Sequence, residues 1–428
     1  MPQRMATRAV PEVVDHLFRR EAGKMVSYFT RVFGMNRLSL AEDVVQEALC
    51  QALQTWSIRG LPDNPPAWLM RVARNRAIDL ARRDKKFRDF TPELTHLMKL
   101  REESRQADPV FEKEIQDDQL RMMFSCCHPG LSTEVQVTLI LKTLCGFSVG
   151  EIASAFLANE DSIEKRLGRA RKLFRDSGKF VEFAGEAEFP ERLEAVYQAI
   201  YLLFNEGYHA SESEQTIRED LCYEALRLGL LLSEHPMAAR PKTFALLALC
   251  CFNAARLAGR VEGHGELIQL EHQDRSKWDA GLIAKGFGYL EKSAAEQEMS
   301  EFHVEAAIAS LHSGAESFEK TNWEEIVKLY DLLYLLKSTP IVGLNRAVAV
   351  GYAEGAERGL EELARIAEGD KLEGYPFYPA AMGEFYLLAG RRSEAEKSFA
   401  RAEGLARNPA ERRFLEGKRK ECFLEYGK

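Results

Sequence analysis

The sequence predicts an all-α protein: two small helical modules followed by a longer, tetratricopeptide-like helical extension. Three observations carry this. Apolar residues recur at three- and four-residue spacing along nearly the whole chain, the mark of amphipathic helices. No sustained apolar–polar alternation bounded by turn residues appears. Two Ser-x-x-Glu sequences, Ser39 to Glu42 and Ser148 to Glu151, stand ahead of apolar stripes, where serine caps a helix start and glutamate reaches back. At 428 residues the chain exceeds a single core. Its periodic blocks divide it into residues 1–85, a charged linker over 86–109, residues 110–183 and residues 184–428, with Gly185 and Pro190 marking the last break.

Charge is unevenly spread. Residues 1–183 carry 29 Lys and Arg against 25 Asp and Glu, a net +4, whereas residues 184–428 carry 29 against 41, a net −12. A basic front half points to a polyanionic partner. The eight cysteines lie in apolar helical contexts rather than a spaced framework, so reduced, buried thiols are expected. No apolar run approaches the ~20 residues that span a bilayer, and the N-terminus lacks an apolar signal core. A cytoplasmic protein with no membrane association is predicted.

In the first block, the helix after Ser39 runs through Trp56, with Val45, Leu49, Ala52 and Trp56 as its buried stripe and Asp43, Gln46, Glu47 and Gln54 mostly off it. Pro62, Pro65 and Pro66 make a stiff loop, and a second helix is expected from about Ala67. From Ala67 to Arg88 that segment has eight basic residues against Asp79 and Asp84. On a helical wheel Leu69, Val72, Ala73 and Leu80 point one way, while Arg71, Arg74, Asn75 and Arg82 point the other, with Arg83 and the following basic residues extending the cationic end. Such a face suits phosphates, and its Arg and Asn donors suit base edges.

The second block reads as a helix-turn-helix. A short helix follows Ser148, Leu157 to Glu160 form a turn, and a second helix starts at about Asp161. Ile163, Leu167, Ala170 and Phe174 form its core stripe, and Ser162, Lys165, Arg169 and Lys172 recur half a turn away, with Arg166 beside them. A helix buried on one side and basic on the other can lie in a major groove.

The extension continues as amphipathic helices. Met382, Gly383, Tyr386, Ala395, Phe399 and Ala402 match one tetratricopeptide helix pair, with Pro379 where tryptophan is usual. A preceding copy is weaker: Tyr352 lies 34 residues before Tyr386, but Glu361 and Arg365 replace Ala395 and Phe399. Two polar clusters, around Asn205, Glu206 and Tyr208 and around Asp274, Arg275 and Trp278, read either as a ligand pocket or as a buried network that fixes helix packing. Cys126, Cys127 and His128 are adjacent, which suits no tetrahedral metal site without a second ligand pair. No metal, no cofactor and no catalytic residue is expected, and no nucleophile elbow, phosphate loop or HExxH motif appears.

The stretches AEDVVQEALCQALQTW, PPAWLMRVARNRAIDLARR and GFSVGEIASAFLANEDSIEKRLGRARKLF together resemble the extracytoplasmic-function (group IV) RNA polymerase sigma factors over about the first 180 residues. YLLFNEGYHAS, LCYEALRL, QDRSKWD, EAAIASLHS and LNRAVAV resemble a subgroup whose long helical extension regulates the factor in place of a separate anti-sigma protein. The resemblance implies partners: core RNA polymerase, through its clamp coiled coil and flap, and promoter DNA. It implies that Asp43, Gln46 and Glu47 bind the clamp. It implies that Arg71, Arg74 and Asn75 sit by a base flipped from the −10 element and held by the SIRGLPDNPP loop, and that Lys165 and Arg169 read the −35 element. Gly168 stands where some members carry a larger side chain. A contact between extension and sigma modules is implied as well. The rival reading is a helix-turn-helix transcriptional regulator with a ligand-sensing helical domain, which leaves the first block without a purpose. An enzyme in the extension would have only Glu206 and Asp274 as bases.

Overall fold

A computed structural model describes residues 3–83, 109–156, 158–177, 189–209, 217–262, 266–295, 298–367, 372, 374–406 and 408–423, with backbone only at 3–16, 81–83, 109–117, 177 and 367. The chain is all-α. Among the described residues the only strands are Val261–Glu262 and Glu266–Leu267, which pair antiparallel over two residues each. The chain forms two compact units, Met1–Leu203 and Phe204–Lys428. The boundary falls inside a helix, past the break read at residue 184, and the 86–109 linker lies almost wholly outside the described residues.

The first unit begins with α1 (Gln3–Phe33), α2 (Leu38–Arg59) and α3 (Pro65–Arg83). Met25, Tyr28, Phe29, Val32 and Phe33 bury one side of α1. Gly34, at φ 90°, ends that helix by donating to the Thr30 carbonyl, a conformation an L side chain rarely adopts. The expected capping box at Ser39 is not formed. A 3₁₀ turn at Met35–Arg37 runs straight into α2, whose first residue is Leu38, so Ser39 lies inside the first turn. The preceding turn supplies what a serine cap would have, and Glu42 instead pairs with Arg171 at 3.1 Å. Trp56, 2% exposed, sits between Phe18 and Trp68, with ring centroids at 5.8 and 5.3 Å. Helix α3 starts at Pro65 rather than Ala67, because Asn64 Oδ1 accepts from the Ala67 amide at 3.1 Å and caps it.

The same unit holds α4 (Pro109–Cys126), α5 (Thr133–Thr143), α6 (Val149–Ala155), α7 (Glu160–Ser177) and the first part of α8 (Phe189–Tyr208). Ser148 and Glu151 do form a capping box at α6. Glu151 also takes two bonds from Arg19 of α1, at 3.1 and 3.2 Å. Arg31 pairs with Asp118, which is buried, at 2.8 Å. A Cβ on Gly23 would collide with the Leu144 carbonyl, so α1 passes close to the end of α5. These ties and Glu42–Arg171 hold both periodic blocks in one unit. Phe189 of α8 is fully buried, 4.7 Å from Phe124.

The second unit runs through α9 (Glu219–Ser233), α10 (Pro241–Ala254), α11 (Leu257–Arg260), α12 (Ala280–Ser293), α13 (Glu301–Gly314), α14 (Trp323–Leu336), α15 (Pro340–Glu354), α16 (Ala356–Ala367), α17 (Phe377–Leu388), α18 (Arg392–Leu405) and α19 (Pro409–Glu421). Helix α10 is buried on nearly every side, as its ALLALCCF run requires. Asp279, Asn322, Thr339 and Asn408 cap the starts of α12, α14, α15 and α19. The tetratricopeptide-like pair is α17 with α18: Ala395, Phe399 and Ala402 are buried, and Gly383 lets the Phe399 ring approach, since a Cβ there would lie 2.9 Å from it. The weaker copy is also a helix pair, α15 with α16, which buries Leu360 and Leu363 while Glu361 and Arg365 stay exposed.

Candidate nucleic-acid interface

Helix α7 presents the clearest surface. Asn159 Oδ1 accepts from the Ser162 amide at 2.9 Å and fixes the helix start. Ile163, Leu167, Ala170 and Phe174 are buried, while Lys165, Arg169 and Lys172 are exposed and, among the described residues, make no ion pair. Ser162 is half-buried at the start of this face. Gly168 has open space where a Cβ would be. Arg166 turns the other way: it is half-buried with its guanidinium 4.9 Å over the Phe156 ring. Arg171 is occupied by Glu42. Leu157 of the turn lies outside the described residues.

Helix α3 is different. Arg71 is exposed and Asn75 half-buried. Arg74, which the helical wheel puts on the polar side, is only 5% exposed, beside the Tyr28 hydroxyl, and burial lowers its pKa. The wheel fails here because α1 crosses that side of α3 and takes it into the core. Arg76 pairs with Glu47 of α2. Arg82 and Arg83 close the helix with only their backbone described. Asp43, Gln46 and Glu47 share an open groove on α2 with Cys50, Gln51 and Gln54. Sequence reasoning missed the exposure of three apolar side chains, Leu53 near the end of α2 and Ile58 and Leu61 within the SIRGLPDNPP stretch. Leu53 and Ile58 break the polar surface of an otherwise amphipathic helix end, which is the signal that could have found them.

Residues 17–87, which take in most of α1 and all of α2 and α3, match the family described as Sigma-70 region 2. Residues 17–87 thus carry a Sigma-70 region 2, which supports a sigma-70 family factor. Sigma-70 proteins are DNA-binding transcription factors that act with core RNA polymerase in initiation. Residues 192–294 match a family of unknown function, DUF6596. An uncharacterised protein of Rhizobium meliloti (strain 1021) is 37% identical over 394 residues, covering 92% of this chain and 91% of that protein. That likeness therefore runs through both compact units. No solved structure matches.

The other residues singled out from the sequence belong to neither α3 nor α7, although the His128 ring packs edge-on against Phe174 of α7, with centroids 6.0 Å apart. Cys126 lies by Thr143, Cys127 donates to the Met123 carbonyl, and burial pushes the Cys126 thiol up to about 12 and the Cys127 thiol up as well. His128 Nδ1 accepts from the Gly130 amide. Among the described residues no three His, Cys, Asp or Glu gather as a ligand set, and no helix is long and apolar enough to cross a membrane.

The two polar clusters of the extension sit on either side of the short helix α11. On one side Asn205 is half-buried, Glu206 is buried, and Tyr208 lies under the Arg260 guanidinium. On the other, Arg275 covers the Trp278 ring at 4.5 Å, and Gly259 backs the indole. Asp274 does not join them. It is exposed and caps the turn at Ser276, whose hydroxyl and amide hold its pKa below the usual value. Arg256 and Arg260 were not singled out from the sequence, where they read as ordinary polar positions of an amphipathic helix.

Proposed function

We propose that the protein is a sigma factor of the extracytoplasmic-function type. Helix α7 reads the −35 element, α3 and the proline loop take the −10 element, and the α2 groove seats on the polymerase clamp. The observation that carries this is the pairing, in one unit, of a Sigma-70 region 2 with a helix-turn-helix whose second helix displays Lys165, Arg169 and Lys172 unpaired. Cations on an exposed helix face neutralise phosphates and reach base edges without first breaking internal bonds. Arg71 and Asn75 supply the donors of α3. Leu53, Ile58 and Leu61 give an unstacked base an apolar surface. The acidic half, residues 184–428, modulates the basic half in cis; its net −12 against +4 supports that reading.

Run-off transcription with core enzyme tests the proposal, and promoter-dependent initiation is the expected result. Binding to DNA without binding to core polymerase would instead support a helix-turn-helix regulator with a sensing domain. Comparing transcription by the full chain with that by a chain ending near residue 209 gives the sign of the extension's effect.

A further inference from the structure

The second unit contains three arginines that are buried or half-buried and yet make no ion pair among the described residues. Arg346, Arg358, Arg391 and Arg419 each hold one or more carboxylates. Arg256, Arg260 and Arg275 make no ion pair among the described residues; the charge of the exposed Glu319 reaches Arg275 alone of the three. Arg260 is 6% exposed; it donates to the Tyr208 carbonyl at 2.7 Å and lies 3.5 Å over the Tyr208 ring. Arg275 donates to the carbonyls of His312 and Ala315, at 2.7 and 2.6 Å. Arg256 and Arg275 lie over the same indole, Trp278, at 5.4 and 4.5 Å from its centroid.

The three guanidiniums lie within one another's fields. Arg256 stands one helical turn before Arg260, and its charge disfavours the charged forms of both Arg260 and Arg275. Burial, with Arg256 and Arg275 nearby, pushes His312 down to about 3, so its ring is neutral. Several buried polar atoms beside them have no hydrogen-bond partner: Arg256 Nε, Arg275 Nη2, His312 Nδ1, Trp278 Nε1 and Gln273 Oε1. Trp278 and Gln273 are themselves 7% and 8% exposed. Carbonyl dipoles and ring faces compensate part of a cation's lost hydration, but clustered, uncompensated cations are costly. This occurs in a half of the chain with carboxylates to spare.

We infer that this cluster is a binding site for a small organic oxyanion, a molecule carrying carboxylate or phosphate groups, held between Arg256 and Arg275 at the edge of Trp278 with Arg260 behind them. Guanidinium forks match both oxyanions in bidentate geometry. The anion's charge removes the repulsion among the three arginines, and its oxygens accept from the Arg256 and Arg275 guanidiniums, which are not fully enclosed. Arg256 and Arg275 are only half-buried, which leaves an approach from solvent, whereas Arg260 is enclosed.

The test uses the full chain without DNA or polymerase, so its outcome is independent of promoter recognition. Sodium phosphate, pyrophosphate and succinate are titrated calorimetrically at constant ionic strength, with chloride as the balance. Saturable binding of at least one probe below about 1 mM is expected, and the preference between pyrophosphate and succinate tells phosphate from carboxylate chemistry. Arg256→Gln and Arg275→Gln should each weaken it about tenfold or more, while Arg346→Gln, which removes a paired arginine, should leave it unchanged. Arg275→Lys, which keeps the charge and loses the fork, should weaken binding and retain the fold if a Gln variant does not fold. Saturation by none of the probes, or affinity unchanged in Arg275→Lys and in every folded Gln variant, overturns the inference.

Discussion

Helices α3 and α7 carry similar sequences of arginine and apolar residues, yet they spend their cations differently. Helix α7 keeps Lys165, Arg169 and Lys172 exposed and unpaired, with its apolar stripe fully buried on the opposite side. Helix α3 buries Arg74 beside Tyr28 and ties Arg76 to Glu47, which leaves Arg71 as its exposed arginine with a described side chain. The difference follows from which sides of each helix its neighbours cover. Helix α7 packs on α5, α6 and the 3₁₀ turn at Met35–Arg37 and is tied to α2 through Arg171, yet these neighbours leave the face of Lys165, Arg169 and Lys172 exposed. Helix α3 lies against both α1 and α2, so a wheel that assumes one buried face assigns Arg74 to the wrong side. A basic helix is therefore a binding surface only to the extent that packing leaves its cations free.

Substitutions can break or sharpen this contrast. The largest effect should come from the frame that supports both helices. Phe189→Ala empties a fully buried site against Phe124 and should cost the first unit about 3–5 kcal/mol, read from urea unfolding of the full chain. Arg74→Ala should lower stability by about 1–3 kcal/mol through the buried groups left without a partner; an unchanged unfolding midpoint would mean that Arg74 serves DNA rather than the fold. Lys165→Ala and Arg169→Ala should each weaken binding to the −35 element by about 1–3 kcal/mol with stability unchanged within about 0.5 kcal/mol. Unchanged promoter affinity in both would refute α7 as the reading helix. Asp43→Arg, at an exposed position of the α2 groove, should reduce affinity for core polymerase about tenfold, measured by competition for core, with circular dichroism unchanged. The smallest effect is expected from Lys172→Ala: a uniform loss across DNA sequences, with the salt dependence of binding reduced by about one unit.

Much of this was legible in the chain itself. The helix-turn-helix was readable because its signals are local: Ser148 and Glu151 form the cap, and the buried and basic stripes of α7 lie on opposite sides of one helix. The pair α17 and α18 was readable for the same reason, since Gly383, Ala395, Phe399 and Ala402 are small or aromatic where two helices must meet. The cap at Ser39 was misread because the 3₁₀ turn before it, which no motif announces, already starts the helix. The arginine cluster was legible only in part: Arg275 stood out beside Asp274 and Trp278, but Arg256 and Arg260 come from a segment that looks ordinary by itself, and their burial without an ion pair is something only three-dimensional neighbours can show.

The sequence by itself determined that the chain is helical, that it carries a helix-turn-helix with a basic outer face, and that its two halves differ in charge. These depend on residue type and on spacing within single helices, which the backbone's 3.6-residue period converts directly into faces. Tertiary structure alone decided that the two blocks form one unit through Arg19–Glu151, Arg31–Asp118 and Glu42–Arg171, that α8 belongs partly to the front unit, and which arginines of α3 remain free. Those outcomes depend on which side chains meet across 29 to 132 residues of chain. Burial and pairing there are set by long-range packing rather than by local period.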